Sequence, residues 1–422
     1  MSLLVLATRA VTEKRGVTCL RFPALRVVPA IAAAFFLAAP PGAAADEPYK
    51  RMLDDELVFT GTETLTDSGT AKEAIVIGLF SPDDDDHPVG RALTRGVTLA
   101  VDQANAAGGI EGRPIRLVRR WADDPWAAGA NEVIKLVFED QAWAIIGGPD
   151  GASTHIAQQV ATKAHIPLIA PVSSDSTLTH TRVPWIFRLP PDDASQAEIL
   201  VAGAVVPTNL KRVGLVTSTD HDGRTVAAEL IAALERAGLT PVFHLKLAPD
   251  AVDPTDLASR IAGFKADGVI IRVPRTDLRR LTDAFAAAGL EIPIFLPWIP
   301  GLDLRQFPPH YPGPVTSVAP FEPVRACGPY LKLVRVFIER NGEAPTPEAV
   351  YGYDAARMFI DAIRSGASGR VELVDRIAKT APFTGTSGTI AWDTGGGNTA
   401  ARPVLSQTVG AVTATASGTA TR

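Results

Sequence analysis

Cysteine is nearly absent from this chain: 422 residues carry two, Cys19 and Cys327. Removal of the N-terminal segment, argued below, leaves Cys327 alone, and a lone thiol excludes an internal disulfide and a cysteine-based metal cluster. Stability has to come from a packed core. Long apolar runs are as scarce. The run Val27 to Ala39, VVPAIAAAFFLAA, falls short of the roughly 20 residues that cross a bilayer, which argues against a membrane anchor. The signatures of common enzyme chemistry are missing too: there is no P-loop, G-x-S-x-G, H-E-x-x-H or Cys/His ligand cluster, and GGIEG follows a helical stretch rather than a strand. An enzyme is therefore not expected, and no cofactor is called for. No fixed-period repeat points to a solenoid.

What the N-terminus does have is a fixed order of features. Arg9, Lys14, Arg15, Arg21 and Arg26 precede the apolar run, and PPGAAADEP follows it. This reads as a cleaved secretory signal over residues 1–45, cut after Ala45, with export to the periplasm or outside the cell. Cys19 lies before the apolar run, so a lipid-bearing cysteine is not expected. The whole chain has 41 basic residues against 46 acidic ones; loss of five basic residues and of Glu13 raises the acidic excess from five to nine. Such a charge argues against nucleic acid or an anionic membrane surface as a partner. Residues 46–73 are polar and aperiodic, a disordered leader by composition.

From Ala74 the pattern changes. AIVIGLF is a continuous apolar run of the kind buried in parallel sheets, and a helical pattern with Ala92, Val97, Leu99, Ala100, Val101 and Ala104 follows, stopped by Gly108 and Gly109. Strands at 115–118, 142–148 and 167–171 alternate with helices at 128–140 and 153–164. After residue 190 the alternation restarts, with strands at 212–217, 241–247, 268–273 and 292–297. This spacing predicts an α/β fold of two doubly wound Rossmann-like lobes with right-handed crossovers. The expected partition gives lobe 1 residues 74–190 plus about 316–345 and lobe 2 residues 191–315 plus about 346–400, leaving 404–422 as a disordered tail.

Several strings, in one order, carry a resemblance: IVIGLFSP (75–82), GVTLAVDQANAAGGIEGRPIRLV (96–118), DDP (123–125), IIGGPDGAST (145–154), IPLIAPVSSDSTLT (166–179), FRLPPDD (187–193) and YGYDAAR (351–357). Together they resemble the leucine/isoleucine/valine-binding protein family of type I periplasmic receptors, over roughly residues 74–400. The resemblance implies two lobes joined by crossover strands and a small polar solute, an amino acid or related carboxylate or amide, held between them. It also implies an ABC transporter permease as partner, with a signalling partner as the alternative. Physical reasoning puts the ligand at the same place, because loops and helix N-termini at the carboxyl ends of both sheets converge on a switch point.

The family's site carries over residue by residue. Its hydroxyl-bearing carboxylate contact falls on Gly151, which has none, leaving the amides of Ala152 and Ser153 and the hydroxyls of Ser153 and Thr154 to replace it. Capping of the helix start is the alternative role for these residues. Ser174 keeps its hydroxyl, and Val172 stands where a backbone carbonyl faces the ligand amine. Asp222 replaces a tyrosine and is read either as a partner for a cationic group or as a solvated loop acid. Arg272 and Arg275 stand where relatives have an aromatic residue, with Arg275 the candidate for a ligand carboxylate and surface pairing the alternative. Trp298 is either a lid over apolar ligand parts or a core residue. The run Asp83 to Asp86 lacks the alternating pattern of a calcium loop and reads as solvated, so no metal site is expected. Tyr353 and Asp354 are read as architectural.

Overall fold

The computed structural model describes residues 73–82, 87–124, 128–248, 253–303, 311–323, 328–409 and 412–415. The secretory signal, the leader up to residue 72, the acidic run Asp83 to Asp86, Cys327 and the segment after residue 415 lie outside the described residues. Among the described residues no helix is long and apolar enough to cross a membrane.

The first sheet runs β1 (Ile75–Phe80), β2 (Ile115–Arg120), β3 (Ala144–Gly147), β4 (Leu168–Ala170) and β5 (Ile186–Arg188), ordered β2-β1-β3-β4-β5 and parallel throughout. Every residue of β1 is buried, as a central strand covered on both faces requires, whereas the edge strand β2 exposes Arg116 and Arg119. Its helices are α1 (Pro88–Ala106), α2 (Ala130–Phe138), α3 (Gly151–Ala164) and the short α4 (Thr177–His180). Proline opens α1, His87 Nδ1 accepts from Gly90 N at 3.0 Å, and Gly108 and Gly109, both at positive φ, follow its end.

The chain then enters α5 (Asp193–Leu200), continued by a π turn and a 3-10 turn to Thr208, and builds the second sheet. Its strands are β6 (Val213–Ser218), β7 (Phe243–Leu247), β8 (Gly268–Arg272), β9 (Ile294–Leu296) and β10 (Val315–Ala319), with helices α6 (His221–Arg236), α7 (Pro254–Gly263) and α8 (Arg275–Ala287) between them. The helices α9 (Pro329–Asn341), α10 (Pro347–Arg364) and α11 (Arg370–Lys379) follow. A small pair, β11 (Phe383–Thr384) and β12 (Thr389–Ile390), leads to β13 (Val404–Val409) and β14 (Val412–Thr415). The second sheet is ordered β14-β13-β10-β9-β8-β6-β7, with β13 and β14 antiparallel to their neighbours.

The last hundred residues are distributed differently from the expected partition. Residues 315–319 belong to the second sheet, not to lobe 1, and residues 347–390 pack on the first sheet, not on lobe 2: Val350, Phe359, Leu373 and Ile377 share one core with Ile75, Ile77 and Leu93. The reason is the crossing of α1 and α10. Small residues on both helices let the backbones meet, so that a Cβ on Gly96 would stand 2.0 Å from the Ala349 carbonyl oxygen. The expected disordered tail is also corrected, since β13 pairs with β10 from Val404 opposite Ala319 to Thr408 opposite Val315. Its threonines and valines suit a pleated edge, which a composition count hides. The chain thus passes between the lobes after β5, after β10 and before β13. Asp354 acts as architecture: fully buried, it accepts from the amide and hydroxyl of Thr386 (both 2.7 Å) and of Ser387 (2.8 and 2.7 Å), tying α10 to the β11–β12 turn.

Gly96→Val forces the α1–α10 crossing apart, and we expect it to lower unfolding free energy by about 2–3 kcal/mol in a urea titration. An unchanged midpoint would show that these two backbones are not apposed.

Candidate functional site

The carboxyl ends of both sheets bring loops of the two lobes into direct contact. On the lobe 1 side, Asp150 caps α3: its side chain accepts from Ser153 N (2.8 Å) and Ser153 Oγ (2.8 Å), and its carbonyl accepts from Thr154 Oγ1 (2.5 Å). Thr154 Oγ1 in turn accepts from Gly148 N at 3.2 Å. Both hydroxyls, buried completely, are therefore engaged at the helix start, as capping requires. Val172 is fully buried in the segment that leads from β4 to Ser174.

The amide of Gly151 has a partner from the other lobe. It donates to Asp222 Oδ1 at 2.9 Å, and Arg272 Nη2 donates to Asp222 Oδ2 at 3.4 Å. Glycine is required at 151 by this approach, since a Cβ there would stand 2.4 Å from Asp222 Oδ1. Asp222, partly exposed, is a carboxylate seated on a helix N-terminus and a guanidinium, the two donor types that bind anions best. Burial pushes its pKa up to about 6, against the pull of Arg272.

A second contact runs through Ser174, whose Oγ donates to Asp193 Oδ1 at 2.6 Å, while Thr225 Oγ1 of α6 donates to Asp193 Oδ2 at 3.3 Å. Burial pushes Asp193 up to about 7, with the charges of Asp222 and Asp175 adding to it. The third contact is centred on Asp175, 2% exposed. Its Oδ1 accepts from Thr177 N and Thr177 Oγ1, both at 2.8 Å, and its Oδ2 meets His155 Nε2 at 2.8 Å and His221 Nε2 at 2.6 Å. Burial opposes ionisation of Asp175, but these bonds outweigh it and hold the carboxyl well below the usual range; the same bond raises the His221 pKa.

Of the residues singled out from sequence, Gly151, Ala152, Ser153, Thr154, Val172, Ser174 and Asp222 fall in or beside this junction. Arg275 does not: it is exposed at the start of α8, in a groove with Arg91, Arg95, Glu343 and Glu348, and Arg272 reaches the junction in its stead. Trp298 is 5% exposed, its amide donates to Gln196 Oε1 at 3.0 Å, and its ring lies 6.2 Å from that of Tyr351. It packs in the core, not over the junction. His155, Asp175, Asp193 and His221 were missed. The available signal was position: Asp175 lies in a loop at the sheet's carboxyl edge, and both histidines lie in the first turns of helices that start there.

Two parallel-stranded lobes meeting at their loop edges define the type I periplasmic binding protein fold. The chain belongs to the family described as periplasmic binding protein, whose model matches residues 74–413. It is similar to an amino acid binding protein of Pseudomonas aeruginosa, 31% identical over 203 residues, covering 46% of this chain and 52% of that protein. It is also similar to a Leu/Ile/Val-binding protein homolog of Brucella abortus, 30% identical over 193 residues, covering 43% and 47%. The chain spans about half the length of these curated relatives. Among solved structures, the leucine binding protein LivK of Thermotoga maritima superposes with TM-score 0.73 at 20% identity, over 82% of this chain and 98% of that one. A solute binding protein from R. palustris in complex with benzoate gives 0.68 at 22%, over 79% and 92%. Members of this family are solute-binding proteins, not enzymes.

Asp193 supplies a pH signature with a definite sign. Its carboxyl keeps a proton in the folded chain up to about pH 7, while the unfolded chain releases it near the ordinary 3.8, so its contribution to stability falls as pH rises between these values. Asp193→Asn removes that loss. The variant's denaturation midpoint is expected to gain on the parent's between about pH 4 and pH 7; a gap constant with pH would contradict the assignment.

Proposed function

We propose that this chain is an extracytoplasmic receptor that binds a small polar solute, an amino acid or a related carboxylate or amide, between its lobes and delivers it to an ABC permease. The observation that carries the reading is the seat occupied by Asp222. A carboxylate there is held by the Gly151 amide of one lobe and by Arg272 of the other, so a ligand carboxylate displacing Asp222 meets donors from both lobes. A ligand touching both lobes favours the closed arrangement by its differential affinity for it, which is the signal a permease reads. Spare hydrogen-bonding capacity supports this further: Arg272 Nε and Ser176 Oγ are buried with no partner among the described atoms, and buried polar groups ordinarily have one. On this reading the N-terminal segment is an export signal, and the receptor works in the periplasm or outside the cell. The curated relatives named for amino acids and the solved relative bound to benzoate accord with a carboxylate ligand.

A thermal-shift screen of amino acids, their amides and small carboxylates tests the proposal. The cognate solute at a hundredfold excess over its dissociation constant adds about 2.7 kcal/mol to stability, and Arg272→Ala should abolish that gain for a carboxylate solute. A screen in which no solute raises the midpoint, or in which Arg272→Ala leaves the shift intact, contradicts the seat as described.

A further inference from the structure

The cluster on Asp175 is built like a metal site. His155 Nε2 and His221 Nε2 converge on one carboxylate oxygen, and the three candidate ligand atoms lie within 4.8 Å of one another. The rings stand edge to face with centroids 5.1 Å apart, so neither blocks the other's approach to a shared centre. Asp175 is fixed through its other oxygen by Thr177, the supporting hydrogen bond that metal-ligating carboxylates usually have. Two imidazoles and a carboxylate are the donors of zinc and of related transition dications, whereas calcium and magnesium require mostly oxygen. With bonds of about 2.0–2.2 Å, tetrahedral ligand atoms stand roughly 3.4 Å apart. Spreading the present cluster to that spacing takes side-chain shifts of about 1 Å or less, within reach of χ adjustments on half-buried histidines.

We propose that His155, Asp175 and His221 form a binding site for one transition-metal dication, zinc being the reference ion, and that the ion ties the two lobes together. His155 and Asp175 belong to lobe 1 and His221 opens α6 of lobe 2, so the full ligand set exists only when the lobes meet. A fourth position is left to water or to a ligand atom. The imidazoles coordinate through the Nε2 lone pair, so a proton now on that nitrogen passes to Nδ1 or to solvent, and binding releases protons on balance. The inference goes beyond the solute reading and does not depend on it.

The test uses untagged, chelator-treated chain. Calorimetric titration with zinc chloride is expected to show one saturable site, with a rise in denaturation midpoint that magnesium does not give. His155→Ala and His221→Ala, one change in each lobe, should each weaken zinc at least about tenfold. Cobalt loading should produce the visible absorption of a low-coordinate site and lose it in either variant. If an alanine variant fails to fold, as far-ultraviolet circular dichroism would report, His155→Gln and His221→Gln replace it. Absence of a saturable site, or equal zinc affinity in the parent and both variants, overturns the proposal. The solute screen, repeated in excess chelator, succeeds or fails separately and so distinguishes this inference from the receptor reading.

Discussion

The junction between the lobes rests on one constraint: a carboxyl group drawn out of water must find partners, and here each of three acids takes one of them from the opposite lobe. Asp222 reaches across to the Gly151 amide, Asp175 receives His221, and Asp193 gathers Ser174 and Thr225. Separating the lobes would return each acid to solvent, so the pairs need not add much net stability. What they supply is registry. Each acid has a single geometric solution, and together they fix which loops face each other.

This explains the unusual chemistry at position 151. A hydroxyl side chain there would serve a ligand carboxylate; glycine instead admits the protein's own acid to the same helix terminus. In the proposed receptor, ligand entry and lobe contact compete for one set of donors. Affinity for a solute is reduced by whatever free energy Asp222 gains from its seat, and a solute that engages Arg272 as well recovers it.

The alternation of strands and helices was legible because central β-segments such as β1, β3 and β9 are short continuous apolar runs, and Ile75 to Phe80 is buried at every position. Glycines at 108 and 109 marked a real helix end. The fate of residues 315–415 was not legible, because it is decided by shape: Gly96 against Ala349 is a tertiary fit that no periodicity reports. Helix α11 was missed although RVELVDRIAK is amphipathic, and the pairing of β13 was missed because the composition of the tail is close to that of a loop. At the site, the sequence located the right loops but not the right partners. Arg272 and Arg275 differ in that the first ends a buried strand and the second begins an exposed helical face. His155, Asp175 and His221, separated by 20 and 46 positions, show no ligand spacing at all until the lobes meet.

The threading of the chain has its own consequence for how the molecule is made. Helix α10 covers the face of α1 formed by Leu93 and Val97, yet it is encoded some 250 residues downstream. Strand β13 completes a sheet whose first strand is β6. Neither half can bury its core from local sequence alone, and loop closure of this span delays the rewarding contacts. A growing chain therefore remains incomplete in lobe 1 until α10 and α11 have appeared, and in lobe 2 until β13 has. Loss of the residues from α10 onward would be felt in both halves of the protein.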